Sequence, residues 1–422
     1  MPSKTLIVER DVEMTTRDGV TLRADVYRPS ASGPFPVLLQ RTPYGKGGTG
    51  AFALFAAERG YAVVVQDTRG RWASDGDGMP FIWEKADGAD AVQWAAAQPW
   101  ADGNVGMWGA SYVGYTQLAA ASQRPPALKT IIPTVTFCNG YDLTYQGGAF
   151  SAGLVTSWGI GSVASMAVQR LPDSDPRKPA LLAEFVRQID GLAGRGTTFR
   201  TLPLKALPLI GEDGLNPFFW ESLAYPLRSD PHWEQIRVAP ENLSLPMFHI
   251  GGWYDVFAAH TLRDYAAARA AGNVRQSVLM GPWSHWSPSS LAGEVDFGFN
   301  ASDVALLLDL QQLDWFDAVL KGVDNGVLDG LALRLFVMGA NVWRDEEAWP
   351  LARAKVTPWY LHSEGAANTL HGNGALSQVA PGEEAVDTFV YDPRNPVPTR
   401  GGGLCCSATA LPAGAFDQRP IE

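Results

Sequence analysis

The chain has 422 residues, 46% of them hydrophobic and 18% charged, with 33 Lys and Arg against 44 Asp and Glu for a formal net charge of −11. That length exceeds one ordinary hydrophobic core, so two or three domains are expected, and the composition excludes a disordered chain. An acidic chain without a basic run is a poor partner for nucleic acid or an anionic membrane, and it has no apolar run long enough to span one. The start, MPSKTLIVERDVEMTTRDG, carries charges throughout, so no secretory signal is expected. The cysteines, Cys138, Cys405 and Cys406, make no disulfide framework, and the adjacency of the last two argues against a bridge between them. A reducing cytoplasm is the expected location.

The first third alternates strand-like and helix-like segments. Thr21–Tyr27 alternates apolar and polar residues, and 34–40 (PFPVLLQ) is an apolar run. The loop RTPYGKGG then leads into a helical pattern, AFALFAAERG. Residues 61–66 (YAVVVQ) predict a strand covered on both faces, 87–98 a helix, 103–108 (GNVGMW) a strand, and 128–134 (LKTIIPT) another. This rhythm predicts a mostly parallel, wound sheet. From about Cys138 to Leu245 it stops: helical stretches such as PALLAEFVRQIDGLAG occur, and seven prolines lie between Pro203 and Pro246. Strand patterns resume at 245–250 (LPMFHI) and 276–280 (QSVLM), so the middle section predicts a helical insertion that covers a site. A helix is expected over 303–320, followed by β-like stretches, ALRLFVMG, TPWYLH and VDTFVYD.

The stretch GASYVG presents Ser111 between a predicted strand and a predicted helix, the setting of a nucleophilic serine, although the generic pattern G-x-S-x-G would put its last glycine at Val113. A serine nucleophile needs a base, and the base an orienting carboxylate, in wound hydrolases in the chain order Ser, Asp, His. Asp255 follows the run MFHIGGWY, and His285 follows SVLMGPWS. Of the six histidines, His249 lies within its apolar run, His260 in a predicted helix, His232 in the proline-rich return, and His362 and His371 in the β-like tail. Ser111 alone equally fits an ordinary helix start, Asp255 a helix N-cap and His285 a loop residue; their joint placement favours a triad.

An oxyanion hole would draw on the Tyr112 N–H and on the loop 41–48, where Tyr44 is either a hydroxyl donor or a packing aromatic. Trp108, Trp253, Trp283 and Trp286 flank the triad candidates, either as pocket walls or as core. Trp158, Phe257 and Trp286 are the candidate substrate-binding residues. Asp75 and Asp77 in SDGDGMPF lack the other ligands of a calcium loop, so a solvated turn is expected there. No HExxH, paired CxxC or phosphate-loop pattern occurs, and neither a metal nor a cofactor is expected.

The stretches RDGVTLRADVYRP, RTPYGKG, VVVQDTRGRWASDG, DGNVGMWGASYVGYTQ, GGWYDVF, GPWSHW, RLFVMGANVWRDEEAWP and AFDQRP resemble the cocaine esterase family of α/β-hydrolases, related to X-prolyl dipeptidyl aminopeptidases, glutaryl acylases and α-amino acid ester hydrolases. GASYVG fits that family's serine motif, G-x-S-Y-x-G. The resemblance implies Ser111 as nucleophile, Asp255 as acid, His285 as base, and Tyr44 with the Tyr112 N–H as oxyanion donors. It implies an α/β-hydrolase fold (1–140 and 244–350), an inserted helical cap (141–243) and a C-terminal β jelly roll (351–422). A jelly roll has about eight strands, and the residues after Pro350 supply roughly half of that. The expectation is therefore an incomplete jelly roll, completed by a missing C-terminal fragment or a homo-oligomer. The expected activity is cleavage of small-molecule carboxylic esters, with peptidase or β-lactam acylase activity as the alternative and a non-catalytic binding protein as the remote one.

Overall fold

The apolar runs of the sequence become the middle of one mixed sheet. The computed structural model describes residues 5–421 apart from 31, 194–195, 212–213, 331–332, 370, 393 and 408. The strands of the large sheet are β1 (Leu6–Thr15), β2 (Thr21–Pro29), β3 (Phe35–Thr42), β4 (Ala62–Asp67), β5 (Ala101–Ala110), β6 (Leu128–Thr134), β7 (Met247–Tyr254), β8 (Gln276–Ser284), β9 (Leu333–Val337) and β10 (Val342–Glu346). They lie in the order β1-β2-β4-β3-β5-β6-β7-β8-β9-β10. Strands β3 to β9 run parallel, while β1, β2 and β10 pair antiparallel at the two ends.

Alternation along the strands feeds two cores. Ala62 and Val64 of β4 pack with Val37, Leu39, Met107 and Ile131 under α2 (Glu84–Ala96) and α3 (Tyr112–Ser122). Val63 and Val65 face the other way, with Leu38, Ile132 and Ile250, under α1 (Gly50–Glu58) and Leu313, Trp315 and Phe316 of a C-terminal helix. Both faces are covered, which is why YAVVVQ carries no polar alternation until its end.

Between β6 and β7 the chain is helical: α4 (Gly140–Thr144), α5 (Ala152–Trp158) continued through a π-helical turn into α6 (Ser165–Arg170), α7 (Lys178–Asp190), α8 (Phe218–Ala224) and α9 (Pro231–Ile236). After β7 comes α10 (Ala258–Ala270). The helix expected over 303–320 is two, α11 (Asp303–Leu306) and α12 (Leu308–Lys321), because Leu307 takes a left-handed conformation at φ 51°. Among the described residues after Pro350, TPWYLH contributes the strand Tyr360–His362, paired with Ala375–Ser377, whereas VDTFVYD forms no strand.

The structure corrects one expectation outright. Cys405 and Cys406 are joined as a disulfide. Adjacent side chains on an extended chain point to opposite sides, but Cys406 adopts φ 78°, a turn that brings the two sulfurs together.

Candidate active site

The turn after β5 carries Ser111 at φ 62° and ψ −124°, a conformation that L-residues avoid and that strained active-site turns retain. The Ser111 N–H donates to the Thr134 carbonyl at 2.9 Å, and Thr136 Oγ1 donates to the Ser111 carbonyl at 2.8 Å, so the end of β6 and the segment after it grip the turn from both sides. The two glycines of GASYVG are steric necessities. A Cβ on Gly109, at φ 129°, would meet Val113 Cγ1 at 2.3 Å, and one on Gly114 would meet Thr136 Cβ at 2.7 Å. The late glycine thus lets α3 lie against the segment after β6, while Val113 takes the place of the generic pattern's last glycine.

Asp255 and His285 follow the ends of β7 and β8, on the same edge of the parallel sheet as Ser111. His285 Nε2 lies 3.0 Å from Ser111 Oγ, and His285 Nδ1 lies 2.5 Å from Asp255 Oδ2. The other Asp255 oxygen accepts the Phe257 N–H at 2.7 Å. That residue, not Asp255, is the N-cap of α10. Asp255 is buried, and its carboxylate is held by one backbone donor and one imidazole.

Tyr44 and Tyr112 stand on the remaining sides of the serine. The Tyr44 hydroxyl interacts with the Ser111 side chain and accepts a hydrogen bond from Trp158 Nε1 at 3.1 Å. Because indole only donates, that bond leaves the Tyr44 proton free to donate in turn. Tyr44 as a residue is 43% exposed, but its hydroxyl is enclosed, and burial pushes its pKa above the usual phenol value. Tyr112 opens α3, so its N–H is among the first-turn donors without an intrahelical acceptor. Its phenol donates to Glu84 Oε1 and accepts the Phe81 N–H, both at 2.9 Å, and Glu84 is in turn paired with Arg41 at 2.5 Å. Burial raises the Tyr112 pKa well above the ordinary value.

Beside the serine is a predominantly apolar cavity. Its wall includes Phe81, Phe137 and Phe257 on the sheet side, Trp158 and Phe218 from the insertion, and Cys405 and Cys406. Among its described lining residues there is no carboxylate or cation. Of the candidate binding residues, Trp158 and Phe257 line it, whereas Trp286 is 54% exposed, its ring 5.9 Å from that of His285, and outside the wall. Trp108 packs on Phe52, Trp253 donates to the Phe336 carbonyl and Trp283 to the Ala301 carbonyl, so these three serve packing. His249 bonds to Gln276 at 2.9 Å, and burial holds its pKa down at about 4. Asp75 pairs with Arg23, and Asp77 accepts from Trp83.

Glu84, Arg41 and Arg71 lie outside the site residues expected from the sequence. Arg41 is the available signal, a charge at the polar end of a buried strand that must find a buried partner. Buried Arg71 bonds the carbonyls of Gly78 and Ser162, tying the insertion to the sheet loops near Tyr44.

With the geometry of Ser111, His285 and Asp255 established, the chain can be compared with known proteins. Residues 18–287 match the family described as X-Pro dipeptidyl-peptidase (S15 family). Cocaine esterase from Rhodococcus sp. (strain MB1 Bresler) is 36% identical over 98% of the chain and 72% of its own length. The chain belongs to the cocaine esterase family of serine hydrolases. Its fold is also that of solved structures of lower identity. A CocE/NonD family hydrolase from Staphylococcus aureus matches 86% of the chain with a TM-score of 0.61 at 22% identity, and an α-amino acid ester hydrolase matches 91% with a TM-score of 0.63 at 22%. The chain spans 59% and 65% of the lengths of those two proteins. As a member of this family the chain is a hydrolase acting on esters. Among the described residues, no helix is long and apolar enough to cross a membrane.

Proposed function

We propose that the chain cleaves small carboxylic esters bearing an uncharged, apolar acyl group through an acyl-enzyme on Ser111. The observation that carries this reading is the continuous hydrogen-bond line from Ser111 Oγ through His285 to Asp255. His285 takes the serine proton as Oγ attacks the ester carbonyl, and Asp255 holds the imidazole in the tautomer with its free nitrogen toward Oγ. The Tyr44 hydroxyl and the Tyr112 N–H receive the oxyanion. His285 then protonates the leaving alcohol, and water repeats the sequence to release the acid.

The substrate class follows from the cavity wall. A peptidase or acylase that reads an α-ammonium group needs a carboxylate within reach, and the described lining offers aromatic rings, aliphatic chains and sulfur instead. That favours neutral acyl esters over aminoacyl amides. We further propose that residues 141–243 act as a cap over the site, and that 351–422 belong to a β domain contributing to its wall.

A fluorophosphonate, with a panel of benzoyl, acetyl and aminoacyl esters, tests the reading. Labelling on Ser111, lost in Ser111→Ala together with turnover, is expected, with benzoyl esters preferred. Full ester turnover by Ser111→Ala would overturn it.

A further inference from the structure

We propose that Cys405 and Cys406 form a redox-modifiable pair that sets the size of acyl group the cavity admits. The inference rests on the reading of that cavity as the acyl site. Both residues line the same wall as Tyr44, Ser111 and Trp158. Cys405 is buried and Cys406 half-buried, so the pair has an inner sulfur and an outer one that solvent-borne reagents reach.

The chain on either side is pinned. Before the pair, Gly402 and Gly414 exchange backbone hydrogen bonds at 2.7 and 3.0 Å, and Gly403 abuts the Asp255 backbone so closely that a Cβ there would lie 3.0 Å from the Asp255 carbonyl oxygen. After it, Ser407 accepts from Leu411 N–H at 2.9 Å through its carbonyl, and from Ala410 N–H at 3.1 Å through its hydroxyl. A change at the pair is therefore confined to the pair. Bonded sulfurs lie about 2.05 Å apart, whereas non-bonded heavy atoms need about 3.5 Å or more. Opening the bond forces the sulfurs apart by roughly that difference, and the space beside the buried sulfur, Cys405 Sγ, is the acyl cavity. The dithiol form has the smaller cavity, the disulfide form the larger.

The interconversion balances with a small dithiol as co-reactant. Its thiolate attacks the outer sulfur, Cys406 Sγ; the S–S bond breaks, and Cys405 leaves as a thiolate that takes a proton. The reagent's second thiolate then attacks its own sulfur in the mixed disulfide, releasing Cys406 as a thiol. Two electrons pass from the reagent, which leaves as a cyclic disulfide.

The test uses the full chain, untreated or reduced with dithiothreitol and desalted, then divided between iodoacetamide mapping and kinetics. Reduction is expected to expose both Cys405 and Cys406 to alkylation while buried Cys138 stays unmodified. The KM for a benzoyl ester should rise on the order of 10-fold, as for a misfit of about one methylene, with an acetyl ester changed far less. In Cys405→Ala/Cys406→Ala the difference between treated and untreated protein should vanish. Alkylation of both cysteines without reduction and with no recovery under an oxidant, an equal response of both esters, or a response retained in the double variant would each overturn the proposal. The alkylation map reads the pair without any turnover, so failure of Ser111 labelling would instead count against the proposed mechanism.

Discussion

The parallel sheet and the segments proposed to roof it contribute to one cavity by different physical means. Ser111, Asp255 and His285 sit on loops after β5, β7 and β8, strands locked by ladder hydrogen bonds between two cores. Trp158 and Phe218 come from short helices, and Cys405 and Cys406 from a segment whose preceding stretch leaves Val386 81% and Val390 94% exposed. A few polar ties join these segments to the sheet, such as Arg71 to the Ser162 carbonyl and Trp158 to the Tyr44 hydroxyl. In the proposed mechanism, groups that must agree within tenths of an ångström for proton transfer stand on the sheet, and groups that only shape the substrate stand on short helices and irregular chain. Substitutions on the sheet side should therefore act on kcat, and those on the roof side on KM.

The largest expected effect is on the sheet side. Asp255→Asn keeps the Phe257 N–H bond but offers an amide to His285 Nδ1, favouring the tautomer that points a proton at Ser111. Ester turnover should fall on the order of 10⁴-fold, read by steady-state kinetics with circular dichroism as the folding control. Tyr44→Phe removes one proposed oxyanion donor and keeps the ring; kcat should fall by about 10²- to 10³-fold with KM little changed. A large rise in KM at constant kcat would place Tyr44 with the roof instead.

The same division explains what could be read from the residues alone. Strands β3, β4, β5, β7 and β8 announce themselves as apolar runs, because both faces are covered, and each member of the proposed triad stands just past such a run. Gly109 and Gly114 are visible as letters, but the contacts with Val113 and Thr136 that require them are tertiary. The edge strand β1 is masked by its alternating charges, several of which face solvent. Trp158 is expected at the substrate, but its bond to Tyr44 joins residues 114 positions apart and is visible only in the fold. The Cys405–Cys406 bridge contradicts the rule for an extended chain because it depends on a single left-handed residue. Chemistry on regular structure is legible; walls built by irregular chain are not.

On the roof side, Phe218→Ala is the sharper probe. Its ring lies 5.2 Å from that of Trp158 and 5.6 Å from Phe81, completing the aromatic wall. Truncation should raise KM for a benzoyl ester by roughly 10-fold and leave kcat nearly unchanged, since ground state and transition state lose the same contact. An equal fall in kcat would mean that the insertion also positions the triad.

The smallest effect concerns the seam between these regions, where α10 meets the segment after β6. Asp264 on α10 accepts the Cys138 N–H at 2.9 Å, with Arg263, Asp142 and the Cys138 thiol around it, and burial pushes its pKa up to about 7. An unfolded aspartate titrates near 4, so between about pH 4 and 7 the folded state holds a proton that the unfolded state has lost. Stability must fall with rising pH through that window and stay reduced above it. Asn cannot ionise and keeps an oxygen for the Cys138 N–H, so it removes the cost only where the cost exists. The difference in Tm between Asp264→Asn and the parent should be near zero at about pH 4, favour the variant by a few degrees above pH 7, and change sign nowhere. A variant destabilised most at high pH would mean that Asp264 is held as a carboxylate, stabilised by Arg263 and the Cys138 N–H. The seam would then be an ion pair rather than part of the apolar platform on which the triad stands.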